Sequence, residues 1–371
     1  MTEKYLGQNT PKLGFGLMRL PKIDGKSDVA ETSRMVDLFL DAGFTYFDTA
    51  FVYGDSEETA KKALVERYPR DSYTLATKIN LRVAESEEFA KSEFATSLTR
   101  TGAGFFDYYL LHGVMGGNYE KYAEWGIWDF VREKKEQGLV KHCGFSFHGD
   151  APLLDRLLTE YPWIEFVQLQ INYADWENPD VTSRAVYETA RKHGKSIVIM
   201  EPVKGGKLAD PPEEVKKIFK AVNPDASYAS WAIRFAASLD GVIAVLSGMS
   251  NLEQMQDNIS YMKNFVPLNE EERIDIREAQ KILGHDNSIP CTACRYCVDG
   301  CPQSIAIPDI FAAMNKRRSD GLLAESADLY AAAAAKGGKA SDCVACGQCE
   351  EACPQHLQII DLMKECAETF D

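Results

Sequence analysis

The strongest constraint on the fold is a regular alternation of short apolar runs and helical segments over residues 13–265. Apolar strands that alternate with amphipathic helices are typical of a parallel sheet covered by helices. The predicted strands are residues 13–20, 44–47, 73–79, 106–111, 140–147, 166–173, 196–200 and 242–246. The predicted helices are 32–42, 57–68, 85–101, 119–137, 151–161, 181–193, 213–237 (divided at Pro224) and 252–265.

Eight strand–helix units in this length favour a (β/α)8 TIM barrel over a doubly wound sheet. No Gly-x-Gly-x-x-Gly run opens the first unit, so a Rossmann domain would lack its phosphate-binding loop. We therefore predict an α/β chain with the barrel at residues 1–266. A linker helix is predicted within 267–286, and a separate module at 287–371.

Cysteine usage sets the C-terminal module apart, because eight of the ten cysteines lie there in two clustered motifs. Each motif has the spacing Cys-x2-Cys-x2-Cys-x3-Cys-Pro. No basic and apolar leader marks the N-terminus, and in such a chain dense cysteine indicates metal or redox chemistry. The other two, Cys143 and Cys366, are predicted to be buried small hydrophobic residues. The motif cysteines are Cys291, Cys294, Cys297 and Cys301, then Cys343, Cys346, Cys349 and Cys353.

The spacing is that of bacterial ferredoxins, so we predict two [4Fe–4S] clusters. Zinc is the alternative, but structural zinc usually needs two cysteine pairs with a longer gap and does not require the Cys-Pro ending. The module resembles two-cluster ferredoxins, which implies crossed ligation in a small, mainly helical ferredoxin-like iron–sulfur domain. Cluster one would use Cys291, Cys294, Cys297 and Cys353, and cluster two Cys343, Cys346, Cys349 and Cys301.

Four polar residues stand at or just after the ends of three consecutive predicted strands, where barrel side chains face one opening. Asp48 and Tyr53 follow the second strand, Lys78 ends the third and His112 ends the fourth. Tyr53 could give a proton to a carbonyl oxygen, but a free phenol has a pKa of about 10. We expect Lys78 to lower that pKa and Asp48 to hold Lys78 in place. A neutral His112 could donate a hydrogen bond to the carbonyl or relay the proton.

The order of several motifs resembles the aldo-keto reductase family over residues 13–265. They are Asp48-Thr49-Ala50 with Tyr53-Gly54, Ala76-Thr77-Lys78, Leu110-Leu111-His112, Gly144-Phe145-Ser146, Gln168 to Tyr173, and Ser247-Gly248-Met249-Ser250. The resemblance implies an oxidoreductase that acts on a small-molecule carbonyl or alcohol. Tyr53 would be the general acid, Asp48 and Lys78 its tuning pair, and His112 the group that orients the carbonyl.

The resemblance also implies NAD(P)H, with the nicotinamide amide held by Ser146 and Gln168 and the ring packed on Met200. Relatives that prefer NADPH commonly place basic side chains after the last strand, where this chain has none, so the cofactor choice stays open. Lys204 and Lys207 could bind a pyrophosphate or a flavin phosphate, or be solvated loop lysines. Further cofactor contacts are expected at Gly16, Met18, Arg19, Lys204, Gly206, Gly248, Ser250, Gln254 and Asn258.

The net charge of −15 disfavours nucleic acid or an anionic membrane surface as a partner. No apolar run approaches the roughly 18 residues that a membrane span needs. Together with the missing leader, these features predict a cytoplasmic protein.

Three hypotheses follow for the function. In the first, hydride passes between NAD(P)H and a carbonyl or alcohol in the barrel, and the clusters accompany it structurally or exchange electrons with a carrier. In the second, the barrel holds a flavin nucleotide, which bridges two-electron and one-electron chemistry, and a ferredoxin-like or flavodoxin-like carrier supplies the clusters. In the third, the chain is a non-enzymatic redox sensor or interaction protein.

Overall fold

A closed barrel of parallel strands forms the N-terminal part of the structure. The structure is a computed structural model, and it describes residues 4–285, 287–321 and 323–371. The strands are β1 Leu13–Gly16, the hairpin pair β2 Lys22–Ile23 and β3 Lys26–Ser27, β4 Tyr46–Asp48, β5 Thr74–Ile79, β6 Phe106–Val114, β7 Val140–Phe147, β8 Phe166–Gln170, β9 Ser196–Met200 and β10 Val242–Ser247. Strands β4 to β10 pair in chain order, and β1 closes the barrel between β10 and β4. The predicted (β/α)8 barrel is therefore confirmed.

The helices cover the outside of the barrel and build the C-terminal module. Asp28 and Asp150 each begin a helix by accepting hydrogen bonds from backbone N–H groups of its first turn. The predicted division of 213–237 near Pro224 is confirmed. The helices are α1 Val29–Asp41, α2 Ser56–Ala60, α3 Glu87–Thr101, α4 Tyr119–Glu124, α5 Ile127–Glu136, α6 Ala151–Glu160, α7 Ser183–Lys192, α8 Glu213–Val222, α9 Tyr228–Ala237, α10 Leu252–Met262, α11 Glu270–Leu283, α12 Ile307–Asp320, α13 Leu323–Ala334, α14 Gln348–Glu351 and α15 Ile359–Phe370.

Alternation along the strands decides which side chains reach the mouth of the barrel. Side chains two residues apart on a strand point to the same face. Asp48, Lys78 and His112 therefore continue the inward-facing rows and lie at the carboxyl ends of β4, β5 and β6. Below them in the same rows, packed inside the barrel, are Tyr46, Ala76 and Leu110.

The first predicted strand is too long. β1 ends at Gly16, and the chain turns through a short 3-10 segment, Leu17–Arg19. The hydroxyl of Ser56 stabilises this turn by donating a hydrogen bond of 2.9 Å to the carbonyl of Leu17. The turn matters for the site because it directs Met18 and Arg19 over the barrel mouth.

The C-terminal module has a hydrophobic core of its own, built by α12, α13, α15 and the cysteine-bearing loops. The predicted mainly helical arrangement is confirmed by these elements. By contrast, α11, expected as a linker, packs against α8 and buries Ile276 and Ala279 in the barrel core. Among the described residues, no helix is both long and apolar enough to cross a bilayer.

Candidate active site at the barrel mouth

A buried ion pair forms the base of the site. The ammonium of Lys78 donates hydrogen bonds to Oδ1 of Asp48 at 2.6 Å and to the carbonyl of Thr49 at 2.7 Å. Burial raises the pKa of the Asp48 carboxyl and lowers the pKa of the Lys78 ammonium, and each partner opposes the other's shift. The pair is anchored by neighbouring strands, so the position of the ammonium is well determined.

Tyr53 and His112 stand above this pair. The rings of Tyr53 and His112 meet edge to face with centroids 5.6 Å apart, and the Lys78 ammonium lies 5.0 Å from the Tyr53 ring centroid. The structure therefore brings Asp48, Tyr53, Lys78 and His112 together. This is the convergence expected from their positions at strand ends.

The electrostatics of Tyr53 differ from the expectation. Burial, with the neighbouring Tyr296 and Asp48, raises the pKa of Tyr53 well above its usual value, so the predicted lowering by Lys78 is wrong. The cause is that desolvation of the phenolate outweighs the attraction of an ammonium already paired with a carboxylate. Burial also lowers the pKa of His112 well below its usual value, with a smaller contribution from Lys78. At neutral pH the site thus presents a protonated phenol and a neutral imidazole.

The C-terminal module covers the barrel mouth through direct hydrogen bonds. Arg19, Arg82 and Lys207 on the barrel side donate to backbone carbonyls of 289–296, and two glutamine side chains bond reciprocally. The contacts are Arg19 to Thr292 at 2.8 Å, Arg82 to Tyr296 at 3.0 Å, Lys207 to Ile289 at 2.7 Å, Gln170 to Gln355 at 3.1 and 2.9 Å, and His356 Nε2 to the carbonyl of His148 at 2.8 Å.

A cavity of about 320 Å³ lies between the two modules. Asp48, Tyr53 and His112 line one wall, and Lys78 stays buried behind them. The C-terminal module supplies the opposite wall with Thr292, Cys294, Tyr296, Pro354 and Gln355. Of the predicted cofactor residues, those in the lining are Gly16, Met18, Arg19, Gln168, Met200, Gly206, Gly248, Ser250, Gln254 and Asn258.

Two predicted cofactor residues do not reach the cavity. The hydroxyl of Ser146 accepts a hydrogen bond of 2.7 Å from the backbone N–H of Gly113, which holds it behind the wall. The ammonium of Lys204 forms an ion pair with the buried carboxylate of Asp175. Lys204 is therefore neither a solvated loop lysine nor a residue of this cavity.

The remaining lining suits a nicotinamide or a similar amide-bearing ring. In the described chain, the buried Oε1 atom of Gln168 has no hydrogen-bond partner, and its Nε2 lies 3.5 Å from the sulfur of Met200. An amide donor at this wall would satisfy that oxygen. The loop at Gly248 and Ser250 precedes α10 and lines the cavity, where the backbone N–H of Ser250 donates a hydrogen bond of 2.7 Å to Oε1 of Gln254.

Each set of four cysteines lines a smaller cavity of its own. Cys291, Cys294, Cys297 and Cys353 line one, together with apolar side chains such as Phe311. Cys301, Cys343, Cys346 and Cys349 line the other, where Cys346 is solvent-exposed. Within the described chain no three His, Cys, Asp or Glu side chains converge on a single-ion site. Four thiols spread around a cavity fit a multi-atom cluster better than one zinc ion.

The two remaining cysteines lie in hydrophobic cores. Cys143 belongs to the barrel core and Cys366 to the core of the C-terminal module, and both are buried. Burial raises the pKa of each thiol to about 12. Neither lines any of the three cavities.

Sequence reasoning missed Tyr296, Gln355 and Glu201 as residues of the cavity. The ferredoxin pattern leaves the residues between its cysteines unspecified, so nothing marked Tyr296. A weak signal existed for Gln355, since both motifs end in Cys-Pro-Gln. Glu201 directly follows Met200, the last residue of β9, and its carboxylate lies 3.6 Å from Arg19.

Comparison with known proteins covers both modules. The family model described as "Aldo/keto reductase family" matches residues 12–281, and the one described as "4Fe-4S dicluster domain" matches residues 290–358. Aldo-keto reductase str7 of Strobilurus tenacellus is 32% identical over 219 residues, which is 55% of this chain but only 62% of that protein. The uncharacterized oxidoreductase YqkF of Bacillus subtilis is 26% identical over 67% of this chain and 86% of its own length.

Solved structures agree with the barrel assignment. The holo form of aldo-keto reductase AKR11C1 from Bacillus halodurans superposes with a TM-score of 0.58 at 25% identity, covering 75% of this chain and 96% of that one. An aldo/keto reductase from Klebsiella pneumoniae in complex with NADP and acetate gives a TM-score of 0.59 at 19% identity, covering 73% and 92%. The second likeness shows the shared fold alone.

Proposed function

Because the chain belongs to the aldo/keto reductase family of oxidoreductases and carries a 4Fe-4S dicluster domain, we propose that it transfers hydride between NAD(P)H and a small carbonyl or alcohol. The observation that carries the proposal is the convergence of the Tyr53 and His112 side chains on one cavity, above the Lys78–Asp48 pair. The same cavity supplies the amide-binding wall of Gln168 and Met200.

The protein side chains have separate tasks in this proposal. Tyr53, kept protonated by its raised pKa, donates to the carbonyl oxygen and delivers the proton when that oxygen becomes an alkoxide. Neutral His112 offers a second hydrogen bond and orients the carbonyl. The Lys78 ammonium stabilises negative charge near Tyr53, and Asp48 holds Lys78 in place.

A bound nicotinamide would supply or accept the hydride. Gln168 would hold its amide and Met200 would pack on its ring. Gly248 would bind a nucleotide phosphate through its backbone N–H, and the N–H of Ser250 would have to exchange its bond to Gln254 for one to the phosphate. Among the described lining residues Arg19 alone carries a permanent positive charge, and it already contacts Thr292 and Glu201.

We propose that the C-terminal module holds two clusters with the crossed ligand sets stated above. Such clusters exchange single electrons. Cysteines that serve as cluster ligands instead of forming disulfides suit a reducing compartment such as the cytoplasm, which is the proposed location.

A flavin-dependent electron-transfer enzyme is the second candidate, favoured by one specific observation. Cys294 and Pro354 line both the barrel-mouth cavity and the cavity of the first cysteine set. A cluster there would adjoin whatever the barrel binds, and a flavin accepts single electrons where a nicotinamide does not. The exposed Cys346 would place the second cluster within reach of a ferredoxin-like or flavodoxin-like carrier. The match to the aldo/keto reductase family and the assembled site favour an enzyme over a non-enzymatic sensor.

Anaerobic purification followed by acid release of cofactors separates the two candidates. Aldehyde-dependent oxidation of NADH or NADPH by protein that releases no flavin supports the carbonyl reductase. A released flavin chromophore, with reduction by a ferredoxin and no aldehyde-dependent turnover, would replace it with the second candidate.

A further inference from the structure

Tyr296 of the C-terminal module reaches the reaction centre of the barrel. Its hydroxyl lies 3.3 Å from Nε2 of His112 and hydrogen-bonds the hydroxyl of Tyr53. These are the two groups that the proposed function assigns to the carbonyl oxygen. The Tyr296 oxygen therefore stands between them, where a ligand oxygen would have to bind.

The position of Tyr296 is determined by its backbone and its ring. Arg82 donates a hydrogen bond of 3.0 Å to the Tyr296 carbonyl and places its guanidinium 4.2 Å from the ring centroid. The residue is also flanked by Cys294 and Cys297, both in the first cysteine set. Withdrawing the hydroxyl from the reaction centre therefore requires this loop, or the Tyr296 side chain within it, to move.

We propose that Tyr296 is a specificity-determining residue that occupies the substrate-oxygen site of the free enzyme and must be displaced by an incoming carbonyl. The proposal rests on the proposed function, in that Tyr53 and His112 bind that oxygen. The hydrogen bonds of a carbonyl compound contribute to its binding free energy only by the amount that they exceed those that Tyr296 already makes. Ligands that cannot also occupy the space vacated by the Tyr296 side chain are therefore selected against.

A hydroxyl that merely supported the fold, or that added a third donor to the ligand oxygen, would behave differently. Removing a supporting hydroxyl would leave ligand affinity unchanged. Removing a third donor would weaken binding. Removing an occupant strengthens binding, because Tyr53 and His112 lose their existing partner while the ring can stay between Arg82 and His112.

The test compares the wild type with Tyr296→Phe and Tyr296→Ala, using 4-fluorobenzaldehyde as the probe. Binding to anaerobically purified protein is followed by 19F line broadening without added nicotinamide, so no turnover is needed. We expect the Phe variant to bind roughly three- to tenfold more tightly, the factor contributed by one net hydrogen bond. The Ala variant should bind at least as tightly as the Phe variant.

Tyr330→Phe is the matched control, since Tyr330 lies in the same module and its hydroxyl bonds Asp371 and the Ala340 N–H. It should bind the probe like the wild type. Unchanged or weaker binding by Tyr296→Phe, or no binding by any variant, overturns the proposal. If the wild type shows no turnover, that result contradicts the proposed function but not the role of Tyr296, because the binding comparison does not depend on turnover.

Discussion

The hydroxyl of Tyr296 and Nε2 of His112 lie 3.3 Å apart although the residues are 184 positions apart in the chain. Tyr296 belongs to a cysteine-bearing loop, and His112 lies near the carboxyl end of barrel strand β6. The contact makes the C-terminal module part of the proposed reaction centre. Loss of cluster ligands in that loop is therefore expected to change ligand binding in the barrel.

Replacing Tyr53 with Phe should lower aldehyde-dependent NAD(P)H oxidation by roughly 10²- to 10⁴-fold, the usual contribution of a general acid. The ring and its packing on His112 are kept, so cofactor binding, measured by fluorescence titration, should stay at the wild-type value. Tyr330→Phe is the control for loss of a hydroxyl outside the cavity. Retained turnover in Tyr53→Phe would remove this residue from the acid role.

Breaking the buried pair should cost stability. Lys78→Met leaves the Asp48 carboxyl buried without its ammonium, and removing one partner of a buried pair typically costs about 3–5 kcal/mol. Urea unfolding followed by circular dichroism measures the loss. The exposed pair Lys364–Asp361 offers the control, since Lys364→Met should leave the unfolding midpoint unchanged. Equal midpoints for the two variants would contradict a structural role for the buried pair.

Glu93 should make stability fall as pH rises. Burial raises its pKa from 4.5 to about 8, so the folded state holds the proton more tightly than the unfolded state. Its contribution is complete below pH 4.5 and is lost between that pH and about 8. The stability of Glu93→Gln relative to the wild type should therefore be greater at pH 8 than at pH 5, as measured by urea titrations. Glu278→Gln, on α11, is the control for loss of a surface charge. Parallel profiles of stability against pH for the wild type and Glu93→Gln would contradict the raised pKa of Glu93.

Crossed ligation predicts which cluster each Cys-Pro cysteine serves. Cys301→Ala should damage the cluster of Cys343, Cys346 and Cys349, whereas Cys353→Ala should damage the other. Iron content and low-temperature electron paramagnetic resonance of the anaerobic variants, each compared with the wild type, identify the lost signal. Each variant is the matched control of the other. If Cys301→Ala instead damages the cluster of Cys291, Cys294 and Cys297, and Cys353→Ala damages the other cluster, then all four cysteines of each motif bind the same cluster.

The same two variants connect the clusters with Tyr296. Cys353→Ala should loosen the loop that carries Tyr296 and tighten binding of 4-fluorobenzaldehyde, as Tyr296→Phe does. Cys301→Ala leaves that loop's proposed ligands in place and should bind like the wild type. Equal probe affinities in the two variants would mean that cluster one does not position Tyr296.

Much of the fold and the centre of the site could be predicted because they follow from local periodicity. The alternation of apolar runs and helices predicted the barrel, and the period of two along β4, β5 and β6 aligned Asp48, Lys78 and His112 with its mouth. The end of β1 was misplaced because the bond from Ser56 to Leu17 joins segments distant in sequence. Lys204 was expected either near a phosphate or as a solvated loop lysine, because its partner Asp175 lies on another loop.

The sequence by itself determined the barrel, the two cysteine motifs and the acid–phenol stretch from Asp48 to Tyr53, since each is a pattern of neighbouring residues. Only the tertiary structure decided how the two modules meet. Burial raises the pKa of Tyr53 instead of lowering it, and the contact between the modules brings Tyr296 to His112. Desolvation and contact between distant segments depend on three-dimensional packing, which no local spacing records.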